Sequence, residues 1–480
     1  MEAVKKLIKL FSDLYGDKPE SMQLLPGSGS HRIYYKMTLK DIVALGSYNQ
    51  DIPENRAFFY FTEHFKKYDL PVPSIYAIHN DEDAYLQEYL GEITLYDYLT
   101  KHRSGATFSD DIVNYYKKVL EWLPIFQTGA SKDIDYSMAY PRHAFDEQSM
   151  QWDLNYFKYY FIKLSGILFD EQRLEYDFQT LIKCLHEVPS DYFLYRDFQS
   201  RNIMIKDGKI YFIDYQGGRK GALQYDIASL LWDAKADIPR ETQFSLLEYY
   251  LKQLSELIPV DKEQFKKYYY VFVLARILQA LGTYGYRGFY ENKPHFLQSI
   301  PFALDNLKWL FDNTTFPIEI PELSAVLKRM IGSSFLRALS TPAKSNLTVT
   351  IHSFSYHKGI PYDPTGNGGG HVFDCRIVPN PGRKSQFKEL TGRDKEVKDF
   401  LDNNSEVEAF FQNIKGIVLQ SVENYLNRRF TNLMLSFGCT GGQHRSVYFS
   451  ERTAQFLREN YPKLKITLFH NEQKHLNEEL

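Results

Sequence analysis

Residues 193–215 read FLYRDFQSRNIMIKDGKIYFIDY and combine a dense cluster of polar side chains with two strand-like runs, FLYRD and KIYFIDY. Asn202 follows Asp197 by five positions, and Asp214 follows Asn202 by twelve. The segment between the runs contains Asp-Gly at 207–208, a dipeptide that favours a tight turn. We therefore expect a polar loop that leads into a turn and a strand, with Asp214 carried by that strand.

These three side chains are the groups that phosphoryl transfer from ATP requires. A carboxylate must orient or deprotonate the acceptor hydroxyl, and oxygen ligands must hold magnesium across the β- and γ-phosphates. We assign Asp197 as the catalytic base and Asn202 and Asp214 as the metal ligands. Taken alone, either half of the pattern is better explained as a solvated turn, capped by Asp and Asn, before a hairpin. The combination favours a phosphotransferase site.

The chain before this stretch begins with a predicted helix and continues as a strand, a glycine-serine turn and a second strand. A further apolar run, DIVALGSY, precedes a helical stretch that Pro53 opens, so we expect a small mixed sheet with one helix. Glycine permits close backbone approach and free amides bind oxyanions, which makes the turn suited to cover phosphates. A plain hairpin turn is the alternative. The turn residues are Gly27, Ser28, Gly29 and Ser30.

The glycine-rich hairpin, LQEYLG, YRDFQSRNIM, IDYQGG and YDIASLLWD resemble the aminoglycoside phosphotransferase-like kinases, a branch of the protein-kinase fold, over about residues 20–330. RDFQSRNIM, IDYQGG and YDIASLL look closest to the cell-wall-recycling kinases that phosphorylate the anomeric hydroxyl of N-acetylmuramate and N-acetylglucosamine. The resemblance implies an α+β, protein-kinase-like domain of two lobes, with an N-lobe at 1–90 and a helical C-lobe at 91–335. It also implies ATP and Mg2+ as cofactors and a small amino sugar as the acceptor.

The same resemblance assigns roles to residues outside the catalytic loop. Gln87, Glu88 and Tyr89 would lie at the hinge that meets adenine, and continuity of the chain between the lobes is their alternative role. Asp226, in YDIASLL, would anchor the catalytic loop, cap its own helix, or do both.

Two positions depart from the family pattern. Tyr195 stands where the family often has the histidine of an H-x-D motif, and a tyrosine can still support the loop by hydrogen bonding. DIVALGSY has no lysine where many kinases contact the α- and β-phosphates, which is also common in the sugar-kinase branch. A compensating cation would be Lys36, Arg56 or Arg32. Glu54 is either the usual helix glutamate or a first-turn charge that the helix dipole favours.

Small residues without a clear period make 336–346 the predicted linker, and alternating strand and helix patterns beyond it predict a small α/β domain at 347–480. There the apolar strand NLMLSFGC turns through TGGQHRS into a helix. Glycines, free amides, a hydroxyl, an imidazole and a guanidinium thus surround a helix N-terminus, which is a ready anion site. The spacing C-x5-R-S also matches phosphatases in which a cysteine thiolate attacks phosphorus, but we favour binding. The loop residues are Cys439, Thr440, Gly441, Gly442, His444 and Arg445.

GCTGGQHRS, together with HSFSYHKGIP, FDCRIVPNP and LTGRDKEV, resembles the C-terminal domain of the RapZ family over about residues 347–475. That domain binds an amino-sugar phosphate and, in its best-known setting, a small RNA. The resemblance implies a phosphosugar ligand and adds Asp374 to its pocket; pairing with Arg376 or capping a loop is the alternative. From Asn346 onward there are 17 basic and 15 acidic residues, and NEQKHLNEEL replaces the basic tail of RNA-binding relatives. We therefore expect no RNA partner.

The whole chain has 480 residues and a formal net charge of -3, which gives no reason to expect nucleic acid or a membrane as its main partner. Its three cysteines are too few and scattered for a disulfide framework or a zinc site, so a reducing cytoplasm fits best. We expect a cytoplasmic amino-sugar kinase with a phosphosugar-binding domain. The alternatives are a regulatory binding protein with a degenerate kinase domain and a bifunctional kinase and phosphatase that uses Cys439.

Overall fold

The chain forms two compact units, Met1–Ser340 and Thr341–Leu480. The computed structural model describes residues 2–26, 32–103, 105, 107–291, 293–339, 347–363, 369–427, 430–462 and 464–473. The four residues predicted to cover the phosphates, Gly27 to Ser30, lie outside this part of the chain. Among the helices that are described, none is both long and apolar enough to cross a membrane.

The first unit opens with a sheet lobe that consists of α1 (Glu2–Tyr15), β1 (Ser21–Leu24), β2 (Ile33–Leu39), β3 (Ile42–Tyr48), α2 (Ile52–Lys67), β4 (Ile75–Ile78) and β5 (Ala84–Glu88). The strands lie in the order β1-β2-β3-β5-β4, and every neighbouring pair is antiparallel. The expectation of a mixed sheet is therefore wrong. Helix α1 buries Leu7, Leu10 and Phe11 against this sheet. Gly46 of β3 permits the packing, because a Cβ there would lie 2.7 Å from the sulfur of Met37.

The second lobe of this unit is helical. Its helices are α3 (Leu95–His102), α4 (Asp110–Pro124), α5 (Glu147–Tyr156), α6 (Glu171–Leu185), α7 (Gln224–Leu231), α8 (Arg240–Leu257), α9 (Lys262–Tyr284), α10 (Pro294–Leu297), α11 (Ile300–Asn313), α12 (Pro321–Ile331) and α13 (Ser334–Ala338). Helices α4, α5 and α9 continue as π-helical turns at Ile125–Gly129, Phe157–Ile162 and Gly285–Tyr290. Helix α7 is buried along its whole length and packs against α9, which makes it the centre of the lobe.

Four short strands position the predicted catalytic loop, residues 195–202, on this lobe: β6 (Tyr192–Leu194), β7 (Ile203–Lys206), β8 (Lys209–Phe212) and β9 (Arg219–Gly221). β6 pairs antiparallel with β9, and β7 pairs antiparallel with β8. The loop at 195–202 therefore connects two separate strand pairs, and it ends in a 3-10 turn, Ser200–Asn202. Asp214 lies two residues beyond the end of β8, not on the strand as expected from the sequence, and accepts a hydrogen bond from Asn202 of this loop.

The second unit contains β10 (Thr348–Ser355), β11 (Gly370–Asp374), α14 (Lys395–Asp402), α15 (Ser405–Asn427), β12 (Asn432–Cys439), α16 (Arg445–Asn460) and β13 (Lys465–His470). Its four strands form a parallel sheet in the order β11-β12-β10-β13. Because the strands are parallel, their carboxyl ends share one edge of the sheet. That edge carries Ser355, Asp374 and Cys439.

The expected α+β domain of two lobes, followed by an α/β domain, is thus confirmed, with differences in detail. The predicted linker 336–346 begins inside α13, where Leu336 is fully buried in the core of the helical lobe; residues 340–346 lie outside the described part. FDCR was expected to continue a strand through HVFDCRIV, but β11 ends at Asp374. Its carboxylate accepts the Arg376 amide and starts a 3-10 turn at Cys375–Ile377.

Candidate functional site

Asp226 of α7, which is fully buried, anchors the predicted catalytic loop. Its carboxylate accepts the backbone N–H of Tyr195 at 2.8 Å and that of Arg196 at 3.0 Å. Arg196 has a φ of 82°, a left-handed conformation that is costly for a non-glycine residue. Burial raises the pKa of Asp226 to about 7, against the opposing effect of the two N–H donors. The side chain of Gln127 also donates to this carboxylate, at 3.4 Å. The two bonds from the loop amides make anchoring of the loop the observed role of Asp226.

Tyr195 ties the same loop to the segment that carries Asp214. Its hydroxyl donates a 2.6 Å hydrogen bond to the carbonyl of Ile213, and the side chain is almost completely buried. Tyr195 therefore supports the loop by hydrogen bonding, as expected from the sequence.

The structure brings Asp197, Asn202 and Asp214 together. The Asn202 amide nitrogen donates to the Asp197 carbonyl at 2.8 Å and to Oδ2 of Asp214 at 3.2 Å. Gln216 donates to Oδ1 of Asp214 at 2.8 Å. The Asp197 side chain remains 49% exposed, so an acceptor hydroxyl can reach it.

The residues around Asp214 fit a divalent cation. Asp214 lies inside the cleft with its carboxylate open to solvent. The surrounding protein, followed by the negative charge of Asp197, raises the pKa of Asp214. A cation would relieve this repulsion, and carboxylate and amide oxygens are the ligands that Mg2+ prefers. Asp214 and Asn202 would supply them.

A cavity of about 330 Å³ lies beside these ligands, a size that suits a small-molecule site. Its lining includes Asn202 and Asp214 together with all three predicted hinge residues. Lys206 pairs with the Glu88 carboxylate at 3.3 Å and donates to the Tyr89 carbonyl at 3.2 Å, while Gln87 donates to Ser47 at 2.9 Å. The hinge residues are Gln87, Glu88 and Tyr89.

Of the three candidate cations, Arg32 lines this cavity. Its guanidinium is buried and lies 3.1 Å from the carboxylate of Glu54 on α2. Glu54 therefore forms an ion pair with a cation of the cavity wall and is not only a charge in the first turn of its helix. Lys36 pairs instead with the exposed Glu92 at 3.2 Å, and Arg56 pairs with Glu82 at 2.6 Å. Arg32 is therefore best placed to replace the absent strand lysine.

Two cations near Asp197, Arg276 and Arg196, were not predicted as site residues from the sequence. Nη2 of Arg276 lies 3.7 Å from Oδ1 of Asp197, and Nε of Arg276 donates to Ser229 at 2.9 Å. Arg196 pairs with Asp153 at 2.6 Å. The available signal was the position of Arg276, the charge that interrupts the apolar stretch from 268 to 281.

In the second unit, the loop from 439 to 444 lies at the carboxyl edge of the parallel sheet and leads into α16. Ser355 donates to the Thr440 carbonyl at 2.6 Å and ties the loop to β10. Gly442 has a φ of 70°, the left-handed conformation that favours glycine, and a Cβ there would overlap Glu472. Gly441 is exposed, and a Cβ there would meet nothing within 4 Å. The loop thus leaves open space over its exposed backbone.

The other predicted anion-site residues face the protein. Arg445 is buried, and its Nη1 donates to the carbonyls of Arg376 at 3.2 Å and Val378 at 2.9 Å. His444 Nε2 donates to the Phe387 carbonyl at 2.8 Å. Within the described residues, Nε of Arg445 has no hydrogen-bond partner, a buried donor that an anion at this edge would satisfy.

Cys439 and Asp374 occupy different environments at this edge. Cys439 is 3% exposed, with its sulfur 3.2 Å from the Ser446 hydroxyl, and a thiol buried in this way is poorly placed to attack a phosphorus atom. Asp374 is half exposed and makes a bidentate pair with Arg376, which lowers its pKa. Both alternatives considered for Asp374 are observed: it pairs with Arg376, and it caps the turn that follows β11.

Comparison with known proteins divides the chain in the same way. Residues 30–263 match the phosphotransferase enzyme family, and residues 347–474 match the RapZ C-terminal domain. A "nucleotide-binding protein" of Thermosipho melanesiensis is 37% identical over 147 residues, 31% of this chain and 48% of that protein. Another, from Xanthomonas euvesicatoria, is 37% identical over 148 residues, 31% of this chain and 49% of that protein. The chain spans about half the length of the curated relatives it matches.

Solved structures of kinases are also similar. A choline/ethanolamine kinase family protein from Mesorhizobium loti has 12% identity and a TM-score of 0.44, over 69% of this chain and 99% of that one. An AMP-bound spectinomycin phosphotransferase has 14% identity and a TM-score of 0.44, over 69% and 98%.

Proposed function

We propose that the chain, which matches the phosphotransferase enzyme family over residues 30–263 and the RapZ C-terminal domain over residues 347–474, is an ATP-dependent kinase of an amino sugar. The acceptor would be N-acetylmuramate, N-acetylglucosamine or both, phosphorylated at the anomeric hydroxyl during cell-wall recycling. The second domain would bind a phosphosugar. The three cysteines are free and buried, which is consistent with the cytoplasmic location that we propose.

One observation carries the kinase proposal: Asn202 and Asp214 line the same cavity as the hinge residues and Arg32, and Asn202 also donates a hydrogen bond to the backbone carbonyl of Asp197. A degenerate kinase domain would have no reason to retain a base, two oxygen ligands and a cleft cation in one place. The alternative of a purely regulatory binding protein is therefore disfavoured.

In the proposed reaction, Asp197 accepts the proton of the sugar hydroxyl as its oxygen bonds to the γ-phosphorus. The bond between that phosphorus and the bridging oxygen breaks, and ADP leaves. Arg32 lies where it can offset charge on the nucleotide phosphates, and Glu54 orients it. Asn202 and Asp214 would hold Mg2+, which when bound neutralises charge on the β- and γ-phosphates.

ATP turnover against a panel of N-acetylmuramate, N-acetylglucosamine and an aminoglycoside tests the proposal. We expect turnover with the amino sugars and a loss of about 100-fold or more in Asp197→Asn, the range that loss of a general base produces. Asp207→Asn is the matched control, because Asp207 lies exposed on the turn between β7 and β8. The proposal fails if the parent protein gives no sugar-dependent turnover, or if Asp197→Asn turns over as fast as the parent.

The phosphosugar proposal rests on the open loop at Gly441 and the buried, unpartnered Nε of Arg445. Calorimetric titration with glucosamine-6-phosphate should detect binding by the whole chain. Gly441→Glu would place a negative charge in the open space and should abolish binding of the phosphosugar. Gly416→Glu on α15 is the control, because a side chain there also meets nothing within 4 Å. Equal binding by both variants would contradict the assignment.

A further inference from the structure

Arg201 lines the cavity beside the predicted metal ligands, and no role has been assigned to it. It lies in the 3-10 turn that ends the catalytic loop, one residue before Asn202. Ser200 of the same turn is fully buried, and its hydroxyl donates to Asp233 at 3.4 Å, whereas Arg201 is exposed. The turn therefore directs this arginine away from the core of the lobe and to the wall of the cavity.

The guanidinium of Arg201 is held by one neighbour. Its Nε donates to the side-chain oxygen of Gln199 at 2.6 Å, and Gln199 is itself buried. Within the described ranges of the chain, this is the only hydrogen bond of the guanidinium, which makes no ion pair there. A guanidinium has five N–H donors. The bond from Nε fixes the group, and the donors on both Nη atoms remain available to a ligand.

Four charged side chains line the described part of the cavity wall. Arg32 pairs with Glu54 at 3.1 Å. Glu88 pairs with Lys206 at 3.3 Å. Asp214 is the predicted ligand of a divalent cation, so the fourth side chain is left without a carboxylate partner in this wall. The four are Arg32, Glu88, Asp214 and Arg201.

The carboxylates next to the catalytic loop are engaged by other groups. Asp226 accepts the backbone amides of Tyr195 and Arg196. Asp197 lies 3.7 Å from Arg276 on α9. Among the described residues, neither carboxylate forms an ion pair with the arginine of the cavity wall. An anion bound in the cavity would therefore be its first charged partner.

We propose that Arg201 binds the γ-phosphate of ATP and holds it in line with the acceptor hydroxyl. The inference rests on the proposed kinase function. Arginine binds phosphate through two parallel N–H donors, which the Nη atoms offer. In the transfer, the bond from the γ-phosphorus to ADP breaks as the bond to the sugar oxygen forms, and the proton passes to Asp197. Arg201 contacts only the non-bridging oxygens and keeps its own protons.

The place of Arg201 in the site favours the γ-phosphate over the other two. It follows the predicted base Asp197 by four residues and precedes Asn202, so it belongs to the end of the cavity where the transferred group meets the acceptor. Arg32 comes from the sheet lobe and would replace a lysine that contacts the α- and β-phosphates. The two arginines thus bind different parts of the triphosphate.

Calorimetric titration of the whole chain, in the presence of Mg2+, with ADP and with the non-hydrolysable ATP analogue AMP-PNP tests this assignment. Arg201→Gln should weaken AMP-PNP by about 10- to 100-fold, as for lost charged hydrogen bonds, and ADP by less than about twofold. Arg32→Gln should weaken both nucleotides. Arg173→Gln is the matched control, because Arg173 lies exposed on α6 and outside the lining of the cavity. It should leave both affinities unchanged.

Equal weakening of ADP and AMP-PNP in Arg201→Gln would overturn the inference, because the lost contact would then lie on the α- or β-phosphate. Unchanged binding of both nucleotides would overturn it as well. Retained ADP binding also demonstrates that the variant is folded. Failure of the kinase proposal is a separate result: a parent protein that turns over no sugar refutes that proposal, whereas the titrations need no sugar and decide the role of Arg201 by themselves.

Discussion

Arg32 and Glu54 form an ion pair at the wall of the nucleotide-sized cleft, with Nη2 of the arginine 3.1 Å from Oε2 of the glutamate. In many kinases the corresponding cation is a lysine on the strand that is β3 here. In this chain Leu45 of β3 lines the cavity. Ser47, two residues further on, accepts a hydrogen bond from Gln87. The cation comes instead from the residue before β2, and α2 still supplies its glutamate.

Arg32→Gln should therefore raise the KM for ATP, because a cation that lines the cavity is lost while Glu54 remains. We expect an increase of about 10- to 100-fold, as for a charged hydrogen bond. Steady-state kinetics with varied ATP measures it. Lys36→Gln is the control, since Lys36 pairs with the exposed Glu92 and should change the KM by less than about twofold. Similar effects of both variants would argue against Arg32 as the replacement cation.

Tyr195→Phe removes the hydroxyl that bonds the Ile213 carbonyl and leaves that acceptor without its partner. We expect a loss of about 1 kcal/mol in the free energy of unfolding of the first unit, together with a lower kcat, because the bond joins the loop of Asp197 to the segment of Asp214. Urea denaturation and steady-state kinetics measure the two effects. Tyr192→Phe, on the preceding strand, is the matched control. An unchanged kcat in Tyr195→Phe would mean that the bond does not position the loop.

The sequence was sufficient to predict Asp197, Asn202 and Asp214 as neighbours, because all three lie within 18 residues of one loop and hairpin. Local spacing carries that information. Arg276 of α9 reaches the same site through helix packing, which leaves no fixed spacing in the sequence. Only the charge at 276 in an apolar stretch gave a signal.

Element ends were harder to predict than elements. The strand NLMLSFGC matches β12 from end to end, because its apolar run is bounded by turn residues. HVFDCRIV has a similar apolar pattern, yet β11 stops at Asp374, where a side-chain hydrogen bond to the Arg376 amide competes with the strand ladder. Whether the side-chain hydrogen bond or the strand ladder prevails depends on tertiary contacts, and the spacing of apolar residues in the sequence does not reveal those contacts.

Gly285→Ala should strongly destabilise the first unit. A Cβ at this position would overlap the carbonyl oxygen of Tyr160, where the π-helical turn after α5 crosses the end of α9. Backbone atoms cannot move aside as a flexible side chain can, so we expect a loss of about 3 kcal/mol or more in the free energy of unfolding. Urea denaturation followed by tyrosine and tryptophan fluorescence measures it.

Gly416→Ala is the matched control for that experiment. It lies in α15 of the second unit, and a Cβ there meets nothing within 4 Å. Because alanine is the better helix former, it should stabilise the second unit by about 0.5–1 kcal/mol. A destabilisation of similar size in both variants would show that the close helix crossing at Gly285 is not what makes its glycine necessary.

Asp226 should make the stability of the first unit depend on pH. Its pKa is about 7 in the folded protein and about 3.9 in an unfolded chain, so between these values the folded state holds a proton that the unfolded state has released. Stability contributed by this group must then fall as pH rises from about 4 to 7 and stay low above 7. The difference of three pKa units corresponds to an upper limit of about 4 kcal/mol.

Asp226→Asn removes this titration, although its amide can accept only one of the two backbone N–H groups and should cost stability at acidic pH. The free energy of unfolding, measured by urea denaturation from pH 5 to pH 8, should therefore decline more steeply in the parent protein than in the variant. Parallel curves for the two proteins would contradict the prediction. Convergence near pH 8 would show that the buried carboxylate anchors the catalytic loop at a cost in stability, because none of the described residues forms an ion pair with it.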